Sequence, residues 1–172
     1  MINMQFRKSV PADAMMIGKV LSRSYNMSNI LEGARTFCDE TERGFNYIVA
    51  EEENHVVGVA SWVAHGLPKH GLCEMDRLAV LPAYRGRGIA THIFNFLLDD
   101  ATAFYESQGS RLRKLYLLTH ATNETAQSLY RKLDFVHEAT LRNHYYEGVD
   151  EYVFSMFPER QHHKKEEAPT SR

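Results

Sequence analysis

The sequence predicts a single α/β domain with a mixed sheet of about seven strands, mostly antiparallel and flanked by helices. Three observations predict it. Strand-like and helix-like patterns alternate in the second half of the chain, where a helix joins one strand to the next. Two pairs of apolar runs are joined by short polar turns, as antiparallel hairpins require. A length of 172 residues, 44% hydrophobic and 24% charged, suits one domain with a real core and no need of staples.

The elements follow in order. Met4 to Lys8 is a short opening strand. Pro11 to Ser24 places Ala14, Ile17, Val20 and Leu21 at helical spacing, with Pro11 early and Ser9 as a cap. A weaker helix lies between Ser28 and Cys38. Tyr47 to Ala50 and Val56 to Val63 are strands joined by Glu53-Asn54, and Leu72 to Val80 is another. Ile89, Ile93, Phe96, Leu97, Ala101 and Phe104 line one face of a long helix that ends near Gly109. Leu115 to Thr119 is a strand, and Ala126, Leu129, Tyr130 and Leu133 mark a short helix. Phe135 to Tyr145 and Tyr152 to Met156 close the domain as a hairpin around Glu147-Gly148. From Pro158 onward, residues 158–172 are charged and without core formers. They are expected to be a flexible tail, on which His162 and His163 carry no role.

Composition narrows the function classes. A formal net charge of −2 gives no basic field for nucleic acid. The apolar runs are too short to span a bilayer, and the first eight residues lack a secretory apolar core. Cys38 and Cys73 are the two cysteines, which reads as reduced thiols. The expectation is a cytoplasmic protein without membrane or nucleic-acid partners, acting as a small enzyme or ligand-binding module.

The most informative segment is Leu78-Ala79-Val80-Leu81-Pro82-Ala83-Tyr84-Arg85-Gly86-Arg87-Gly88-Ile89-Ala90. A strand ends, a tight basic turn follows, and a helix starts at once. Gly86 and Gly88 allow turn dihedrals and a close backbone approach. The first helical amides lack intrahelical partners at the positive end of the dipole, which suits phosphate. Arg85 and Arg87 add charge and fork geometry. The dinucleotide fingerprint fails at Thr91, and the Walker loop fails at Ile89-Ala90. A basic turn that merely caps a surface helix is the weaker alternative.

Arg85-Gly86-Arg87-Gly88-Ile89-Ala90 resembles the Arg/Gln-x-x-Gly-x-Gly/Ala signature of the GNAT superfamily of acetyl-CoA-dependent N-acetyltransferases. The run from Asn123 through Ala126, Leu129 and Tyr130 to Phe135 is similar to that family's second motif, with Asp134 standing where glycine is usual. Asp tolerates the left-handed turn better than most residues. The resemblance covers Met4 to Phe157 and implies a sheet splayed in the middle. It implies turn amides that hold the coenzyme A pyrophosphate, and pantetheine in the gap of the sheet. It also implies backbone contacts from Leu78, Ala79 and Val80, with the Leu78 amide near the thioester carbonyl. The resemblance also places Asn123 and Ala126 in that coenzyme site. Asn123 is equally a simple helix cap.

The resemblance further implies Tyr130 as the acid that protonates the departing thiolate. Periodicity alone makes the same residue a core tyrosine beside Leu129 and Leu133. For the base, alternation places Glu74 and Asp76 on one face of their strand with Leu78 and Val80. Carboxylates on an otherwise apolar strand need partners. Arg77 or Arg113 would serve structurally, whereas the family carries catalytic Glu or His at matching positions. Relatives that acetylate the N-terminal alanine of a ribosomal protein carry glutamate where this chain has Leu118. The loop from His65 to Gly71 is a candidate substrate lining, and no histidine there has metal-ligand spacing. Tyr145, Tyr146, Glu147 and Asp150 lie near the closing hairpin and are weaker candidates for an acceptor pocket.

The reading is an acetyl-CoA-dependent N-acetyltransferase without metal, acting on a primary amine by direct attack in a ternary complex. The acceptor is a small molecule, a protein or a peptide, and a homodimer is compatible with it. The alternatives are a non-catalytic acyl-CoA sensor or interaction module of the same fold and, more distantly, a nucleotide-binding domain.

Overall fold

The computed structural model describes residues 4–158. Residues 159–172, which hold nearly all of the expected tail, lie outside the described residues. Among the described residues, seven strands and four α-helices are formed. They are β1 (Met4–Lys8), α1 (Ala14–Ser24), α2 (Ile30–Glu42), β2 (Asn46–Glu52), β3 (His55–His65), β4 (Leu72–Val80), α3 (Ile89–Ser107), β5 (Lys114–His120), α4 (Glu124–Lys132), β6 (Val136–Tyr146) and β7 (Val149–Met156). The strand order is β1-β2-β3-β4-β5-β7-β6. The chain separates into two compact units. One spans the chain up to Ala64 together with Met75–Phe104; the other spans His65–Glu74 and the chain from Tyr105 onward.

In the first unit, β1 and β3 flank β2, and both pairings are antiparallel. Glu53 and Asn54 take φ of 50° and 63°, the left-handed pair that a tight hairpin demands. The expected helix from Pro11 divides. Pro11–Asp13 form a 3-10 turn, and α1 starts at Ala14. Ser9 is not its cap, because the Ser9 amide bonds the Tyr47 carbonyl while Asp13 accepts from the Val10 amide. Helix α2 is longer than its weak apolar pattern suggested and is capped by Asn29, whose side chain accepts from the Glu32 amide. The two helices touch backbone to backbone. A Cβ on Gly18 would sit 2.4 Å from the Ile30 carbonyl oxygen, and one on Gly33 would sit 2.6 Å from that of Gly18. The core beneath them holds Ile17, Val20, Leu21, Phe37, Tyr47, Val49, Val56, Val59 and Ala79.

In the second unit, β5 and β7 pair antiparallel, and β7 pairs with β6 across the Glu147-Gly148 turn. Leu72, Cys73 and Glu74 of β4 pair in parallel with Lys114, Leu115 and Tyr116 of β5, so three of the nine residues of β4 take part. Leu115, Leu117, Phe135, Phe154 and Met156 form the buried interior. Asp134 does take a left-handed φ, 65°, at the turn after α4.

Candidate functional site

The glycine turn belongs to the first unit. Strand β4 ends at Val80, Pro82–Tyr84 form one 3-10 turn, and Gly86 and Gly88 follow with φ of 77° and 76° before α3 begins. A side chain at Gly88 would be strained at that φ, and the space beside Gly86 is open. Among the described residues, the amides of Gly86, Arg87, Gly88 and Ile89 make no backbone hydrogen bond. They lead into a 19-residue helix whose dipole adds positive potential. Ile89 is buried and anchors the helix start, while Ala90 is half-buried.

Both arginines of the turn have internal partners. Arg85 Nε donates to the Val80 carbonyl at 2.9 Å, which ties the turn to the strand end. The Arg87 guanidinium forks onto Glu52, at 2.6 and 3.4 Å, and lies over the Tyr84 ring. Its charge is thus partly neutralised by a carboxylate that the sequence pattern did not single out. His92, one turn into α3, bonds the Gly88 carbonyl and stacks on Phe6.

Along β4 in the same unit, Ala79 and Val80 are buried and Leu78 is half-buried. The Leu78 amide donates to the hydroxyl of Tyr25 at 2.9 Å. Burial pushes the Tyr25 phenol up to about 12, so it remains a neutral donor at physiological pH. Sequence reasoning missed Tyr25, which belongs to no motif and reaches Leu78 across 53 positions of chain. Asp76 is exposed, with its carboxylate 3.5 Å from Arg77 Nε. The main partner of Arg77 is the buried Glu40, which also accepts from the Tyr47 hydroxyl. Burial works against the Arg77 charge, yet Glu40 holds its pKa above the ordinary value.

The second unit carries the other candidates. Glu74, half-buried, uses one oxygen, Oε2, for two partners. His65 Nε2 lies 2.6 Å away, and the Tyr116 hydroxyl donates from 3.1 Å. Burial and then the Glu74 charge push the Tyr116 phenol above its usual range, which keeps it a donor. Arg113 does not reach Glu74; its Nε donates to the His70 carbonyl. Tyr130 is half-buried on α4, with its ring 6.1 Å from both Phe135 and Phe154, so it packs as a core tyrosine would while staying partly exposed. Asn123 is the cap of α4, accepting from the Ala126 amide at 3.1 Å. Gln127 on the same helix is buried and donates to the Ala121 carbonyl at 2.9 Å. Tyr145 and Tyr146 are exposed, and the Asp150 carboxylate accepts from the Asn143 amide. Among the described residues, no group of three His, Cys, Asp or Glu could hold a metal ion. No described helix is long and apolar enough to cross a membrane.

A free-amide turn after a strand, followed along the chain by an asparagine-capped helix bearing Tyr130, matches a family model. The acetyltransferase (GNAT) domain aligns with residues 43–137, more than half of the chain. This chain belongs to the GNAT acetyltransferase family. It is an acetyl-CoA-dependent acyltransferase domain. Relatives agree with that. N-alpha-acetyltransferase 30 of Schizosaccharomyces pombe is 32% identical over 116 residues, covering 66% of this chain and 72% of that protein. The N-alpha-acetyltransferase RimI of Mycobacterium tuberculosis is 34% identical over 120 residues, covering 63% and 70%. An uncharacterized protein of Mycobacterium leprae is 33% identical over 83% of this chain, which spans 38% of that relative's length. Among solved structures, the spermidine N-acetyltransferase SpeG of Vibrio cholerae superposes with a TM-score of 0.74 at 18% identity, covering 94% of this chain and 98% of that one. The GNAT fold is therefore shared well beyond recognisable sequence similarity.

Proposed function

We propose that this GNAT domain transfers the acetyl group of acetyl-CoA to a primary amine by direct attack in a ternary complex. The observation that carries the reading is the turn of Gly86 to Ile89, whose amides face no backbone acceptor at the head of a long helix. Four such donors suit a pyrophosphate. On this reading the backbone of Leu78 and Val80 holds the pantetheine arm. The Leu78 amide stabilises the developing oxyanion once the thioester carbonyl takes the place of the Tyr25 hydroxyl, which accepts from that amide and donates to the Leu78 carbonyl in this structure. Tyr130 gives its proton to the departing thiolate, with Asn123 and Ala126 shaping the head of its helix. Arg85, by tying the turn to Val80, presents the amides and is not itself a phosphate clamp.

The two carboxylates of β4 divide the handling of the amine. Glu74 belongs to the group that takes the ammonium proton, and the exposed Asp76 attracts the cation. An alkyl ammonium titrates near ~10.4, so both tasks arise at neutral pH. Relatives named N-alpha-acetyltransferases favour a protein or peptide N-terminus as acceptor over a small polyamine. Cys73 is buried, and Cys38 is exposed on α2, away from the turn and the strand assigned to the coenzyme, which favours direct transfer over an acyl-enzyme.

Release of free coenzyme A thiol, measured with N-terminal peptides, lysine peptides and polyamines, tests the reading. Thiol release with an N-acetylated product is expected. Tight acetyl-CoA binding with no turnover across the panel would return the chain to the acyl-CoA sensor. Within an active enzyme, Asp76→Asn is expected to raise KM roughly 3–10-fold for a cationic acceptor, as for loss of about 1 kcal/mol of exposed charge attraction. The shape of the pH profile should persist.

A further inference from the structure

The second unit gathers three titratable side chains from three strands: His65 from the end of β3, Glu74 from β4 and Tyr116 from β5. Their arrangement has a direction. The phenol is raised above its usual range, so Tyr116 can only donate to Glu74. Glu74 accepts on the oxygen that also faces His65 Nε2, which makes Nε2 the protonated ring nitrogen and the donor. Nδ1 is left as the nitrogen with a free lone pair, and among the described residues it makes no hydrogen bond. The His65 side chain is 40% exposed and that of Glu74 18%, so the imidazole is the outward end of the relay and the carboxylate the inward end. A carboxylate whose hydrogen bonds are directed at a ring nitrogen and a phenol is placed to orient an imidazole, as in other His–carboxylate pairs.

We propose that His65 is the residue that accepts the ammonium proton, and that Glu74, steadied by Tyr116, positions its ring. This rests on the amine-acetylation reading above and places the base on a side chain that reading did not assign. The protons balance. The ammonium gives one proton to His65 Nδ1, and the neutral amine forms the C–N bond as the C–S bond breaks. Sulfur takes the Tyr130 proton, the phenolate recovers one from the product nitrogen, and the imidazolium releases its own to solvent. Other titratable groups near the relay come from every neighbouring element. His70 lies in the loop after β3 and bonds the Leu67 amide. Tyr105 of α3 donates to the Leu72 carbonyl, and Cys73 and Tyr145 border Tyr116.

Ring-nitrogen NMR on the free protein tests the relay without any acceptor, with the His65 signals assigned by their loss in His65→Gln. The Nε2–H tautomer is expected, and an Nδ1–H tautomer would overturn the proposal. Kinetics then test the role. His65→Gln should lose roughly 10²–10⁴-fold in kcat/KM at pH 7, the range of a positioned base, and recover as rising pH frees the amine. Glu74→Gln should lose less, and its loss should fall on kcat with KM little changed, because the ring is misaimed while the acceptor still binds. A His65→Gln enzyme that stays folded and within a few-fold of wild type would assign the base elsewhere while leaving acetyl transfer intact. A loss in Glu74→Gln confined to KM, or no loss at all, would remove the positioning role. If the wild-type protein acetylates no amine, it is the proposed function that fails.

Discussion

The two candidate functional regions of this protein are built from different materials. The turn of the first unit is a backbone device, with successive amides, two glycines at φ of 77° and 76°, and a helix dipole. The cluster of the second unit is a side-chain device in which three groups from three strands meet at one carboxylate oxygen. A backbone device is specified locally, because the residues that make it are neighbours in sequence. A side-chain device is specified by register. Glu74 opposes Tyr116 because Leu72 pairs with Lys114, and a one-residue slip would turn Tyr116 to the other face. The first should tolerate changes of side chain and resist changes of conformation; the second should do the opposite.

The largest effect expected is on the side-chain chemistry of the second unit. Tyr130→Phe keeps the ring against Phe135 and Phe154 and deletes the proposed proton donor. A fall in kcat of roughly 10²–10⁴-fold is expected, with acetyl-CoA affinity unchanged. Steady-state kinetics beside calorimetric titration check it. A variant within a few-fold of wild type would make Tyr130 a packing residue, and the contrast between the units would lose its chemical half.

Next comes a conformational change in the first unit. Gly88→Asp adds strain at φ 76° and a negative charge where phosphate is proposed to sit. Affinity for acetyl-CoA should fall about 100-fold, since strain and repulsion of roughly 1–2 kcal/mol each act together. Calorimetry on a variant with wild-type circular dichroism tests it. Unchanged affinity would remove the pyrophosphate site.

Legibility in the sequence follows the same division. The seven strands, the four helices and the glycine turn are read from local patterns, and most of their boundaries fall within two or three residues. The left-handed Asp134 is also legible, because Asp is one of the few side chains that tolerates it. Ser9 as a cap is not borne out, because its amide is drawn into a bond with Tyr47 that no local pattern encodes. Tyr25 beside the Leu78 amide, Glu52 on Arg87 and His65 on Glu74 escape the reading for one reason. Each is a partner chosen by tertiary register at a distance of 53, 35 or nine positions. Only His65 left a trace, as a polar residue in the loop expected to line the substrate.

The smallest effect expected concerns Arg87 and tests whether the turn really works through its backbone. Two arginines flanking the glycines invite the view that side-chain charge holds the phosphates. Arg87, however, is already forked onto Glu52, which is 8% exposed. Binding an anion with this guanidinium means either breaking that pair or sharing it, so the net gain is small. Arg87→Ala should therefore weaken acetyl-CoA binding only about 2–5-fold, the scale of an exposed ion pair. Glu52→Gln acts in the other direction. It releases the fork and removes a negative charge from beside the turn, so affinity should rise by a similar factor at low salt and return towards wild type as salt screens the freed charge. Calorimetric titrations of both variants at two ionic strengths separate the views. A loss in Arg87→Ala as large as that in Gly88→Asp would make the turn a side-chain clamp. Weaker binding in Glu52→Gln would mean that the carboxylate supports the bound shape of Arg87 and does not compete for it.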